Sequence, residues 1–369
     1  MNILKFMVVF LLIGNWSERV SGQDLITDIK SQQLNGRFIG GLKGSQASFP
    51  KFEGRVDVTV KNKKEFLDAI KSDRKYYTIY IDESAVIDLS DQPTLFVKTG
   101  VKIISNRGVN GSKGALLITK TNGIFPLFEC GSSVTFYGLR IQGSDTNVYA
   151  GNKKRAGLNA DYENKYGVQI SQGIRTQYKN LIVENCELSG WTHSAIIVKG
   201  SKASGTFKYN YIHHNRRHGL GYGITIDGGY AEIIGNRFDY NRHDIASTGI
   251  ANSSYTVKNN VFLENGTSHA VDVHGGRDRK DNTNLAGRRF EVTNNTFMLP
   301  SNRPAFVVRG VPSEQALFAN NKIIVSSLDR KKASGALRSR TKRSTTTVSS
   351  FVIQKNAKGK LITRDNTIE

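Results

Sequence analysis

The sequence predicts an all-β fold: a right-handed parallel β-helix (solenoid) with a short N-terminal capping helix. Two observations carry this. First, a short phrase recurs: Asn185-Cys186-Glu187-Leu188, Tyr209-Asn210-Tyr211-Ile212, Gly235-Asn236-Arg237-Phe238, Asn259-Asn260-Val261-Phe262, Asn294-Asn295-Thr296-Phe297 and Asn320-Asn321-Lys322-Ile323. Its second position advances by 24, 26, 24, 35 and 26 residues, and periods of that size mark stacked units. Second, short β-branched runs fill the intervals, among them Leu181-Ile182-Val183, Ile224-Thr225-Ile226 and Val271-Asp272-Val273. Gly, Asn and Ser bound them, and no amphipathic helix of ordinary length fits between, which excludes leucine-rich and α-solenoid repeats.

Residues 1–22 read as a secretory signal peptide. Lys5 supplies a positive start, residues 6–13 are apolar but too short to span a bilayer, and Val20-Ser21-Gly22 offers a cleavage point. The expected product is therefore secreted and extracellular, with no membrane span. Residues 23–54 form an N-terminal lead-in. Residues 63–72 make the one good helix, with Phe66, Leu67 and Ile70 on one face, and it caps the open end of the stack. The β-helix domain is expected over residues 55–327.

Within that domain, stacked asparagines at positions 210, 236, 260, 295 and 321 should form a hydrogen-bonded ladder along the coils, spaced by about 4.8 Å. The long step from Asn260 to Asn295 places an insertion at residues 275–288, polar enough to leave the stack as a loop. A second excursion covers residues 145–165. Residues 328–350 form a basic, Ser/Thr-rich linker or tail, with seven basic residues and no acid between Arg330 and Arg343. Arg340-Thr341-Lys342-Arg343 resembles a dibasic processing site. Residues 351–369 are set apart as a C-terminal segment.

Two cysteines, Cys130 and Cys186, do not make a disulfide scaffold and read as buried free thiols. Asn110, Asn252 and Asn265 head glycosylation sequons, so a glycoprotein is expected. The net charge of +21 points to a polyanionic partner. Secretion and the lack of a nucleic-acid motif favour an acidic polysaccharide over nucleic acid. A monomer is expected.

All seven histidines fall between His193 and His274. His193, His218, His243 and His269 recur at about one repeat and are continued by Arg303. A second polar rung reads Lys199, Asp227, Thr248, His274 and Arg309. Imidazole titrates near neutrality, binds metals and moves protons. Three chemistries fit this face. β-Elimination beside a uronate assigns His243 or His269 as base, Arg242 and Arg303 as carboxylate neutralisers, and Tyr222 or His218 at the leaving group. His193, Asp227, Asp244, Asp272, His274 and Arg309 then bind substrate. Glycoside hydrolysis would draw its two carboxylates from Asp227, Asp244 and Asp272. Metal binding would join His218, His243 and His269, with Asp272. The expectation assigns no metal ligand, and Ca²⁺ is the cofactor considered, without a ligand motif. A structural or adhesive role in a matrix, shell or coat is the alternative to an enzyme.

The opening helix and strand, Phe66-Leu67-Asp68-Ala69-Ile70 then Thr78-Ile79-Tyr80-Ile81-Asp82, resemble those of the pectin-lyase-like superfamily of right-handed β-helices. Asn241-Arg242-His243-Asp244-Ile245-Ala246-Ser247-Thr248-Gly249 and His269-Ala270-Val271-Asp272-Val273-His274-Gly275-Gly276 are similar to segments of secreted bacterial β-helix proteins. The resemblance covers roughly residues 55–327. It implies the fold; because the superfamily holds polysaccharide lyases beside non-enzymatic adhesins, tailspike-like proteins and matrix components, it does not decide the chemistry. The W-I-D-H and R-x-P-x-x-R boxes of pectate lyases are absent, as are the polygalacturonase N-T-D, D-D and G-H-G sets. No family catalytic residue therefore transfers to a position here.

Overall fold

The computed structural model describes residues 32–35, 37–41, 49–146, 169–217, 219–326 and 348–369. The signal peptide, most of the 145–165 excursion, His218 and nearly all of the basic tail lie outside them. Short strands wind through three parallel sheets in turn. One coil, for example, runs Leu181–Glu184, Glu187–Ser189 and Ser194–Lys199 before returning to the first sheet at Ser204–Lys208. The sheets hold eleven, ten and nine strands. This is a parallel β-helix, and no helix among the described residues is long and apolar enough to cross a membrane.

The recurring phrase explains the corner between the first and second sheets. Its leading residue sits in the left-handed region: Asn185 (φ 53°), Tyr209 (55°), Asn259 (55°), Asn294 (56°) and Asn320 (54°), with Gly235 (64°) in one coil. Asparagine and glycine tolerate that conformation best. The next residue points inward. Asn210, Asn236, Asn260 and Asn295 each donate from the amide nitrogen to the side-chain oxygen one coil on, at 2.9–3.0 Å. Each Oδ1 also accepts from a backbone N–H of the preceding coil, beginning at the Cys186 N–H (2.8 Å). The phrase's apolar position fills the core beside this ladder, where the Phe238, Phe262 and Phe297 rings stack at 5.0 and 4.4 Å.

Cys130 and Cys186 are free thiols in the same core. Burial pushes the Cys186 thiol up to about 12, so both behave as small apolar groups.

The N-terminal end is closed by the helix Lys63–Lys71. Asn62 caps it by accepting from the Glu65 N–H, and Glu65 accepts from the Lys61 N–H in return. Phe66, Ala69 and Ile70 are buried, while Leu67 packs at the edge.

One expectation needs correction and another refinement. Residues 351–369 are not a separate segment, because their strands extend all three sheets: Val352 pairs with Phe306, Leu361 with Ala316, and Ile368 with Ile323. The sequence cue was interrupted by the basic tail, but Asn366 carries the asparagine ladder one coil further, accepting from Asn321 Nδ2 at 3.1 Å. The 275–288 insertion leaves the stack with residues 280–284 exposed, but it is structured and tied back rather than a free loop. It makes a short helix, Gly276–Arg279, and Arg279 Nη1 donates to the Thr248 carbonyl (2.8 Å). The guanidinium reaches back across one coil, so the polar loop folds against the face it interrupts.

Candidate functional site

His193, His243, His269 and His274 lie along the outer face of the third sheet, but not in the register expected, while His213 and His214 lie at the second sheet. Ser194 pairs with Tyr222, and Tyr222 with His243. Continuing that register sets His269 beside His243 and Pro304 beside His269. Tyr222 therefore occupies the rung expected for His218. The segment before it is longer than the 25-residue spacing implied and closes on itself through an Arg217–Leu220 bridge. The observed file of rings is Phe125, His193, Tyr222, His243 and His269, with centroids 5.9, 5.9, 5.6 and 5.2 Å apart. The second rung is as expected: Lys199 pairs with Asp227, and Thr248 Oγ1 donates to Asp227 at 2.9 Å.

Arg303 is one residue out of this frame, and its side chain lies inside the coil. It is fully buried and donates to Asp244 (2.6 Å) and to the Ser268 and Leu263 carbonyls (both 2.8 Å). Gly266 is required beneath it, since a Cβ there would lie 2.0 Å from Arg303 Nη2. Arg303 thus cannot neutralise a substrate carboxylate, and Asp244, also fully buried, cannot bind substrate.

The pair terminates a second asparagine ladder that the sequence reading missed. Trp191 N–H donates to Asn215, Asn215 to Asn241, and Asn241 to Asp244, at 2.9, 2.9 and 3.0 Å. The matching recurrence, Asn215 to Asn241, was the available signal. It is only two copies long, because Arg303 replaces the amide in a later coil.

Asp272 organises the outer face. It is fully buried, yet four nitrogens surround it: Arg309 Nη2 (2.7 Å) and Nε (3.1 Å), His274 Nε2 (3.0 Å) and His269 Nδ1 (3.2 Å). Burial opposes its charge, but the adjoining imidazoles, two of them hydrogen-bonded to it, hold the carboxyl well below its usual range. His243 is fully buried, and burial together with neighbouring Arg242 pushes it well below the usual imidazole range. Burial likewise lowers His269 and takes His193 to about 4. Arg309 also reaches Asp278 of the insertion (3.4 Å).

Of the residues assigned to the face, Tyr222, His243, His269, Asp272, His274 and Arg309 come together. Arg242 lies over the Tyr222 ring at 5.9 Å. His193 extends the file toward Phe125, and Asp227 lies on the second rung. Of the three aspartates offered for hydrolysis, Asp244 and Asp272 are sealed into ion pairs, which removes the required pair of open carboxylates.

Three buried nitrogens on this face have no hydrogen-bond partner among the described residues: His193 Nδ1, Arg242 Nη1 and His243 Nε2. Buried polar groups are normally satisfied, so a cluster of exceptions calls for an explanation.

A family model described as a right handed beta helix region matches residues 122–323. Neither the curated proteins nor the solved structures contain a match to the chain.

Proposed function

The chain belongs to the right-handed β-helix family, and on that scaffold we propose that it binds an acidic polysaccharide along the outer face of the third sheet. The observation that carries this is the pair of partly exposed side chains flanking Tyr222, His193 and Arg242, each with one nitrogen that has no hydrogen-bond partner among the described residues. A sugar carboxylate or hydroxyl that displaces the cover over these nitrogens would supply the missing partners. The file runs from half-exposed Phe125 through edge-on contacts with His193 and Tyr222, and Phe125 is its exposed ring, open to a sugar. The charge of +21 draws a polyanion to the protein over a longer range.

Binding is better supported than β-elimination. A general base works best with a pKa near the working pH. His193 sits at about 4, and His243 is held well below the usual imidazole range by burial and sealed from solvent. His269 is the other histidine assigned as base, with its imidazole lowered by burial and turned toward Asp272.

One experiment separates the readings. The full chain is passed over immobilised pectate, alginate and heparin, and the same glycans in solution are followed for ultraviolet absorbance of an unsaturated product, with and without Ca²⁺. Salt-reversible retention that Arg242→Ala weakens, without new absorbance, is the expected result. Absorbance that grows with time would restore the lyase. Unchanged retention of Arg242→Ala, with loss on trimming residues 330–343, would move the function to the basic tail and favour the adhesive alternative.

A further inference from the structure

We propose that His243, His269 and Asp272 form a binding site for a divalent transition-metal ion of the zinc class. Each offers one donor atom, and the three donors lie within 4.8 Å of one another. Asp272 Oδ1 is 3.2 Å from His269 Nδ1, and Oδ2 is 3.8 Å from His243 Nε2. A tetrahedral ion with bonds of about 2.1 Å sets its donors roughly 3.4 Å apart. The set, open to 4.8 Å with one atom from each residue, therefore closes on the ion by a small side-chain contraction.

The decisive feature is His243. Its Nδ1 lies 2.9 Å from the His269 carbonyl, which can only accept, so Nδ1 carries the proton. That fixes the tautomer and leaves the Nε2 lone pair free. Nε2 is buried and has no hydrogen-bond partner. A metal-binding imidazole is held this way: its far nitrogen donates to a carbonyl, and its near nitrogen is aimed at the ion. Two imidazoles with one carboxylate suit zinc and its first-row neighbours, whereas calcium prefers an all-oxygen shell. His274 Nε2, 3.0 Å from Asp272 and partly exposed, stands on the solvent side, where a fourth ligand would enter.

Arg309 sets the affinity. Its guanidinium donates to Asp272 and lies 3.5 Å from His269 Nδ1, so it stands beside two of the ligand groups and competes with an incoming cation. This gives the proposal a test with opposite signs at neighbouring positions.

The full chain is stripped with chelator, dialysed against Zn²⁺ without glycan, and assayed for retained metal. Co²⁺ substitution reports four-coordination by its visible spectrum. One equivalent is expected, with affinity reduced about 100-fold or more in His243→Gln and in Asp272→Asn. Arg309→Gln should bind several-fold tighter, an outcome that a merely structural role for the cluster does not produce. His213→Ala/His214→Ala, in a separate cluster on the second sheet, should bind as the unmodified chain does. Circular dichroism checks that each variant is folded. No retained zinc, or equal retention in the unmodified chain and a folded His243→Gln or Asp272→Asn, overturns the site. So does loss confined to the His213/His214 variant. Because no glycan is present, the result stands apart from the polysaccharide reading.

Discussion

At the scale of single residues, burial decides what each ionisable group of the outer face does. His193 shows the consequence for stability. Burial takes its imidazole to about 4, with Arg217 pushing the same way and Asp227 opposing, against 6.5 when unfolded. A folded pKa below the unfolded one means that stability is fully present above 6.5 and is lost as pH falls through about 4. The loss is on the order of 2–3 kcal/mol. Asp239, raised to about 6 by burial, acts in the opposite direction, losing stability as pH rises through 6. It is common to both proteins in the comparison that isolates His193. The thermal midpoint of His193→Gln should fall less between pH 7 and pH 4 than that of the unmodified chain. Parallel pH profiles would show that His193 carries no such term. This scale was also the least legible in the sequence. Recurrence marked Arg303 and His218 as members of the file, but a shift of one residue sends a side chain to the opposite side of a strand. Nothing in the spacing revealed that Arg303 had turned inward to Asp244.

At the scale of elements, the asparagine corner was legible because it repeats many times with the same chemistry. The left-handed residue and the laddered amide are both written as asparagine. The second ladder, Asn215 to Asn241, was hidden by its brevity and by Asp244 and Arg303 closing it. In the long ladder, Asn260 accepts from the Asn236 backbone N–H (2.8 Å) and donates to Ile233, Lys258 and Asn295 (2.9, 2.9 and 3.0 Å). Asn260→Ala leaves the Asn236 N–H buried without its acceptor, and should cost about 3 kcal/mol in chemical denaturation. Asn366 ends the ladder in a partly exposed position, so Asn366→Ala should cost about 1 kcal/mol. Equal losses at the two positions would mean that the ladder is not a cooperative buried array.

At the scale of the whole molecule, a solenoid has exposed ends, and each coil is stabilised mainly by its neighbours. The overall architecture was readable from period and strand length alone. The extent of the stack was not, because the C-terminal coil follows a polar tail that breaks the recurrence. That coil covers the Phe306, Phe318 and Ile323 layer with fully buried Phe351, with Val352 and with the Leu361 and Ile368 strands. Gln354 ties it further to the Gly310 carbonyl at 2.7 Å. Truncation after Ser350 would expose that layer together with three unpaired strand edges, the arrangement most prone to edge-to-edge association. The truncated chain should therefore show a lower thermal midpoint and appear as larger species by size-exclusion chromatography with light scattering. A charged residue in place of Phe351 should reproduce part of the effect while keeping the strand edges paired, which separates core exposure from edge exposure. If the truncated chain matches the full chain in both midpoint and particle size, the coil is an appendage, and the Phe306 layer closes the helix unaided.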